Sequence, residues 1–350
     1  MPTRRLAATL QGDGHIRLVE QDVPQVKAGQ VLVQVHASLV SPGSEFRGGW
    51  RALCEQRDKP RSGVEPQTFG YANAGVVVET GVGVERFSVG DRVACMGAGY
   101  ALHANFAVAP HHLCVALPDN VTFAQGSYAH LASTAIHTSR RGEPQLGEFV
   151  GVIGLGLIGQ LSARMHQLSG CYVAGWDKIA KRREIASGWG IDSANSPAEQ
   201  PLADLTREFT AGAGLDAAVI AFGGDATGVI DELDQCLKVS PDGHTMGRIV
   251  IVGGAGYTFT HRTTNHDIRI AARTGPGYHD ELWEHGDDYP PVFMRWTTRT
   301  NLELCVRLIH EGKLNVDTLT THSIDFSDVE RQVDAILDEP DDILGVVFEY

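Results

Sequence analysis

The ten residues Val150–Gly159, VGVIGLGLIG, constrain this chain more than any other stretch. Val150, Val152 and Ile153 read as a buried strand. Gly154, Gly156 and Gly159 then spell GxGxxG at the mouth of a helix over Gln160–Leu168, and a second strand, Cys171–Trp176, runs into Asp177. Each part has a physical task. Gly154 permits a tight turn, Gly156 lets the backbone approach a pyrophosphate, and Gly159 lets helix and strand pack closely. The helix opening, with Leu157 and Ile158 between the glycines, offers N–H groups and a positive dipole end to phosphate oxygens. Asp177, 18 residues past Gly159, can accept both hydroxyls of an adenosine ribose. Strand, glycines, helix, strand and acid in this order predict a dinucleotide site. A glycine-rich turn that binds nothing would leave Asp177 without a reason. A carboxylate there repels a 2′-phosphate, so NAD is the expected cofactor rather than NADP. The basic residues Lys178, Lys181, Arg182 and Arg183 keep two readings open, as phosphate holders or as the solvated face of the next helix.

With 350 residues the chain has room for two domains. A hydrophobic content of 43% and 40 glycines fit a folded α/β protein rather than disorder. The net charge of −14 makes nucleic acid and anionic membrane poor partners and is read as a device for solubility. The six cysteines are scattered without a CxxC, which argues against a disulfide framework or a cysteine-rich zinc site and fits the reducing cytoplasm. Arg4 and Arg5 have no apolar run behind them, so no signal peptide is expected, and no uncharged apolar stretch reaches the length of a membrane span.

Residues 1–120 are punctuated by Gly and Pro between short alternating runs: 6–10, 16–20, 30–37, 74–79 and 92–95. That pattern predicts a compact barrel-like β domain. Beyond residue 121, strands near 150–153, 172–176, 216–221, 248–252 and 267–272 alternate with helical stretches such as 178–187 and 226–238. This alternation predicts a parallel sheet with helices on both faces. A further amphipathic helix is expected over 302–309, then a helix around 329–337 and a last strand over 344–349. The segment Gly275–Arg295, GPGYHDELWEHGDDYPPVFMR, fits neither template; it reads as a functional loop or as a surface or subunit-contact loop.

The order of parts resembles the medium-chain dehydrogenase/reductase superfamily, the alcohol-dehydrogenase-like enzymes, over nearly the whole chain. PQVKAGQVLVQVHAS is similar to its opening strands, FGYANAGVVVETGVGVERFSVGDRV to its GHExxGxVxxxGxxVxxxxxGDRV segment, and SIDFSDVERQVDAI to its last helix. The resemblance implies a GroES-like β-barrel domain at 1–121, a doubly wound Rossmann domain at 122–313, and a C-terminal return at 314–350, with the active site in a cleft between domains. It implies further cofactor contacts from Arg182, from Phe222 and Gly223, from Val252, Gly253 and Gly254, and more weakly from Thr274. It also implies a small-molecule substrate and, by analogy with relatives, a homodimer.

The departures from that family carry as much information. Where its zinc enzymes place the cysteine of GxCGxD, this chain has Ser41, with Glu45 replacing the following acid. The family's GHE becomes Gly70, Tyr71 and Ala72, and of the ligand positions only the third, His130, keeps an imidazole. The four-cysteine structural zinc loop is missing, since GDRVACMGAGYALHANFAV passes straight to the next strand. Catalytic zinc needs three N, S or O ligands, so no metal is expected. Alcohol oxidation without zinc then needs proton transfer by side chains. His130 and Tyr71 are the leading acid–base candidates, Glu45 is the alternative base, Ser44 a relay, and His103 a further residue that could face the cleft. Each has a plain structural reading: His130 as a packed helix histidine, Tyr71 as packing, Glu45 paired with Arg47 or Arg51. The aromatic and acidic residues of 275–295 suit a sugar, polyol or cyclitol, and that segment is similar to dehydrogenases encoded alongside sugar-modifying enzymes. Two alternatives remain: a zinc-free quinone or enone reductase, and a non-catalytic NAD(H)-binding sensor.

Overall fold

A computed structural model describes residues 2–260, 265 and 267–350. The chain forms two compact units, Met1–Ser133 with Thr274–Tyr350, and Thr134–Arg273. These limits differ from breaks at 121 and 313 because the segment after Thr274 packs into the first unit. There the Asn301 amide donates to the Thr274 carbonyl at 2.7 Å, and helix Thr298–His310 lies on strand Cys114–Ala116.

In the first unit, Gln30–Val40 is the central strand of a mostly antiparallel sheet ordered Thr320–Asp325, Gly345–Glu349, Gln30–Val40, Ala72–Thr80, Arg92–Met96, Cys114–Ala116, with Phe106–Pro110 also pairing to Gln30–Val40. A three-stranded sheet is ordered Ile16–Asp22, Arg4–Leu10, Gln67–Thr68. The period-two run expected over 30–37 is a strand whose Val31, Val33 and Val35 enter one apolar cluster with Val77, Phe87 and Val93. A second cluster, with Phe46, Trp50, Phe69, Ile324, Val346 and Phe348, joins sequence-distant pieces. Sequence reading passed over helix Trp50–Asp58, whose buried side is only Trp50 and Leu53.

The second unit is a six-stranded parallel sheet ordered Ser193–Asn195, Tyr172–Trp176, Phe149–Ile153, Ala217–Ile220, Arg248–Val252, Asp267–Ala271. In chain order that is 3-2-1-4-5-6, with the topological switch between Phe149–Ile153 and Ala217–Ile220. The middle strands read as near-continuous apolar runs because both faces are covered. Gly151 is dictated by packing: a Cβ there would sit 2.3 Å from the Trp176 ring. The helix expected over 226–238 is shorter, Thr227–Leu233, and the helix Leu202–Phe209 between the third and fourth strands was not anticipated. Among the described residues no helix is long and apolar enough to cross a membrane.

Candidate active site

In the second unit, Gly154 has φ +92°, a conformation that favours glycine, and its N–H donates to the Trp176 carbonyl at 2.8 Å. A Cβ on Gly159 would lie 1.8 Å from the Gly154 carbonyl oxygen, so helix Leu157–Leu168 starts hard against the turn. Leu157 is buried and Ile158 packs on the sheet, so what these two can offer a ligand is their main chain. Gly156 differs: a Cβ there would meet only the Arg182 Nη1, at 3.9 Å, and Gly223 and Gly254 have no heavy atom within 4 Å of theirs. The strand ends converge here. Gly154 lies against the Ala221 carbonyl, Gly253 (φ +95°) lies nearest the Phe222 carbonyl, and the Gly224 N–H donates to the Gly254 carbonyl at 3.3 Å. Val252, at the end of its strand, is buried.

Asp177 is buried and accepts from the Leu155 and Ile179 N–H groups at 2.7 and 2.8 Å. It fastens the glycine turn as well as closing its strand. Arg182 stands 3.6 Å from it. Arg183 is spent locally, donating to the Asp177 and Lys178 carbonyls and pairing with Glu199. An open glycine cradle at a helix N-terminus, with a fixed carboxylate beside it, fits a dinucleotide.

In the first unit the acid–base candidates come together. Strand Gln30–Val40 delivers Ser41, and the short helix Pro42–Glu45 carries Ser44 and Glu45. Gly70 (φ +112°) turns the chain into Tyr71 and strand Ala72–Thr80; a Cβ on Gly70 would lie 2.4 Å from the His103 nitrogen. The Tyr71 carbonyl accepts from the Gly97 N–H at 3.0 Å and from His130 Nδ1 at 2.7 Å. The two rings meet edge to face at 4.6 Å. His130 therefore has its proton on Nδ1, and burial pushes its pKa down to about 4, so it is neutral at physiological pH. Burial and the nearby Glu45 charge push the Tyr71 phenol above its ordinary range, while hydrogen bonding with the Ser41 and Ser44 hydroxyls acts the other way.

Glu45 pairs with neither Arg47 nor Arg51: its Oε2 lies 3.2 Å from His103 Nε2 and accepts the Ser41 N–H at 3.2 Å. Arg51 pairs instead with Asp341 on the surface. His103 is wholly buried, so it does not line an open face. Thr274 is also buried, bonded to Thr298 at 2.9 Å, which makes it a packing residue.

The segment 275–295 is irregular except for helix Glu281–Glu284, capped by Asp280. Gly277 lies face-on against the buried Trp283 ring, and Tyr289 donates to Asp280 at 2.5 Å. Sequence reading placed Tyr278 with a sugar-binding loop. The structure brings it to the candidate site, with its hydroxyl accepting the Ala98 N–H at 2.7 Å and its ring 6.2 Å from His130.

A GroES-like β unit holding buried acid–base side chains, together with a doubly wound sheet ending in a glycine cradle, defines an alcohol-dehydrogenase-like oxidoreductase. Residues 27–134 match the alcohol dehydrogenase GroES-like domain. That match and the similar proteins below support the medium-chain dehydrogenase/reductase superfamily. It is 26% identical over 333 residues to the L-threonine 3-dehydrogenase of Pyrococcus furiosus, covering 87% of each chain. It is 25% identical over 307 residues to the D-guloside 3-dehydrogenase of Escherichia coli, covering 86% of this chain and 83% of that one. Its fold matches the crystal structure of galactitol-1-phosphate dehydrogenase from Escherichia coli with a TM-score of 0.77 at 16% identity, over 99% of this chain and 100% of the other.

Proposed function

We propose that the protein is an NAD-dependent, zinc-independent oxidoreductase that moves a hydride between the nicotinamide and a secondary alcohol or its ketone, on a polyol, sugar or cyclitol. The observation that carries this reading is the set Tyr71, Ser41, Ser44, Glu45 and His130. These are hydroxyl, carboxylate and imidazole groups gathered around Ser41, Tyr71 and His130, which stand where the family's zinc enzymes carry their ligands. As a zinc centre the set does not fit. Two serine hydroxyls, a phenol held protonated by burial, one carboxylate already bonded to His103 and the Ser41 N–H, and one imidazole fall short of the three anionic or imidazole donors that catalytic zinc needs. Among the described residues no group of three His, Cys, Asp or Glu is placed to hold a metal ion.

The dinucleotide is held by Gly154, Gly156, Leu157, Ile158, Gly159 and Asp177, with Arg182, Phe222, Gly223, Val252, Gly253 and Gly254 along the strand ends. When bound, the nicotinamide supplies the two-electron hydride acceptor or donor. The chain's own contribution is to the substrate oxygen. Tyr71, kept a neutral phenol, donates a hydrogen bond to that oxygen and stabilises the charge that develops there, with Ser41 and Ser44 fixing the phenol. His130 anchors the Tyr71 main chain from below. Tyr278 adds an aromatic face for a sugar ring. The names of the guloside and galactitol-phosphate dehydrogenases similar to this chain support a polyhydroxylated substrate, and Asp177 supports NAD.

The test is NADH formation by chelator-treated protein on a panel of polyols, hexosides, cyclitols and simple secondary alcohols, with NADP in parallel. Turnover of one hydroxylated class with NAD, undiminished by chelation, is expected. Loss of activity on chelation overturns zinc independence. Silence on the panel with turnover of quinones or enones overturns the alcohol reading.

A further inference from the structure

Behind Tyr71 runs a buried chain of hydrogen bonds that the proposed reaction has not yet used. Glu45 Oε2 is 3.2 Å from His103 Nε2, His103 Nδ1 is 2.7 Å from the Ser38 hydroxyl, and that hydroxyl is 2.9 Å from the Tyr350 phenol. A carboxylate can only accept, so His103 donates through Nε2. Its Nδ1 then accepts from Ser38, and Ser38 accepts from Tyr350. Every donor in the chain points toward Glu45.

At the end of this chain one atom stands out. The Glu45 side chain is 2% exposed, yet Oε1 has no hydrogen-bond partner among the described residues. A carboxylate–imidazole hydrogen bond built only for stability would satisfy both oxygens, because a buried lone pair left unmade costs free energy. Here one oxygen is clamped by two donors, the Ser41 N–H and His103, and the other is left over on the side chain that influences Tyr71. The ionisable groups facing Glu45 are His103, Tyr71 and Tyr350. His103 itself is wedged between the rings of Phe69 and Phe348, at 4.8 and 4.9 Å, and has room only because residue 70 is glycine. The pair is thus held rigidly, with the buried Oε1 as its one acceptor left without a hydrogen-bond partner among the described residues.

We propose that Glu45 Oε1 is the atom that takes the proton of the substrate hydroxyl, and that His103, backed by Ser38 and Tyr350, is the positioning residue that holds it for that step. The inference rests on the alcohol-oxidising reading above. In the forward direction the O–H proton passes to Glu45 Oε1 while the C–H hydride leaves to the oxidised nicotinamide dinucleotide, and the C–O bond becomes C=O. The proton returns to solvent when the ketone departs. In the reverse direction Glu45 delivers it. Tyr71, a neutral phenol, holds the oxygen throughout, and His130 is too weakly basic to compete for the proton.

Two measurements on the full chain separate this proposal from the reading it rests on. The first does not use turnover: infrared spectra of protein carrying carboxyl-labelled glutamate, with the Glu45 band assigned by its loss in Glu45→Gln. An ionised-carboxyl band is expected at neutral pH, converting to the protonated form in His103→Leu and retained in His103→Gln, whose amide keeps a donor near Nε2. A band indifferent to His103→Leu overturns the positioning role. The second uses the panel compound oxidised fastest. Glu45→Gln should lower kcat by about 10²–10⁴-fold with KM little changed. His103→Leu should lower kcat by about 10–100-fold and move the acid limb of the profile to higher pH, with His103→Gln recovering most of the loss. Tyr350→Phe, which removes one oxygen and leaves the packing, should cost about fivefold. Full kcat in Glu45→Gln overturns the proton step. A wild-type protein that oxidises nothing on the panel, with the infrared response intact, overturns the alcohol reading and with it that step, while the coupling of Glu45 to His103 stands.

Discussion

In the second unit the candidate site is almost bare backbone: Gly154, Gly156, Gly159, Gly223, Gly253 and Gly254 at the strand ends, with Asp177 as the chief side chain. In the first unit it is almost all side chain, gathered from residues 38–45, 71, 103, 130, 278 and 350. A backbone site is made by a few consecutive residues that must keep certain positions empty. A side-chain site is made by distant residues that must fill theirs. The first is sensitive to any added atom, and the second to any lost functional group.

Beside the Glu45 variant above, Tyr71→Phe should produce a large effect, a fall in kcat of about 10²–10³-fold, with the thermal midpoint nearly unchanged because a single exchange of OH for H leaves the ring in place. Steady-state kinetics beside calorimetry check it. Equal losses of activity and stability would mean that Tyr71 is packing, which erases the contrast.

The next effect is on stability in acid. His130 and His112 both have pKa values lowered to about 4 by burial, against about 6.5 in an unfolded chain. The unfolded chain therefore takes up protons first. Their contribution is complete above pH 6.5 and is lost as pH falls toward 4, on the order of 3 kcal/mol for each. Denaturant midpoints at pH 7 and pH 5 should differ accordingly. His130→Asn, which keeps a donor for the Tyr71 carbonyl, should make the slope shallower. A slope unchanged in that variant would show that His130 is not the buried neutral imidazole described.

Gly159→Ala should destabilise the protein by about 1–3 kcal/mol, since the new carbon would fall 1.8 Å from a backbone oxygen. Urea unfolding reads it directly. Gly156→Ala is the sharper probe. Its backbone, φ −63°, suits any residue, and the added carbon meets nothing closer than 3.9 Å. Stability should stay within about 0.5 kcal/mol, while NADH affinity, read by fluorescence titration, drops by about tenfold or about 1.4 kcal/mol. Undiminished affinity would mean that the cradle at Gly156 is not where the pyrophosphate lies.

The same contrast explains how much could be read from the sequence. The glycine turn and Asp177 are local, so GxGxxG with its flanking strands and acid was sufficient to place them, and the alternating 30–37 run was sufficient for the central strand. Tyr71, His130, Glu45 and Ser44 were legible only as substitutions at positions that matter in relatives. Their partners were not legible. The bonds from His103 to Glu45 and Ser38 span 58 and 65 residues, and that from Ser38 to Tyr350 spans 312. No local pattern encodes such pairings. Helix Leu202–Phe209 was missed for a different reason: its flanking Pro201 and Thr210 give weak boundary signals, although its buried Leu202 and Leu205 lie on one face.

Strand Gly345–Glu349 lies inside its sheet, between Thr320–Asp325 and Gln30–Val40. On the ribosome, this means that the first 133 residues emerge with a central strand still lacking a neighbour. The second unit, contiguous from Thr134 to Arg273, can close as soon as it has left the exit tunnel. The half-built sheet must meanwhile wait, with an unpaired apolar edge, for nearly the whole of translation. The interval between synthesis and completion is thus longest for the strand that carries Ser38, and it is where demand for chaperone protection should be greatest.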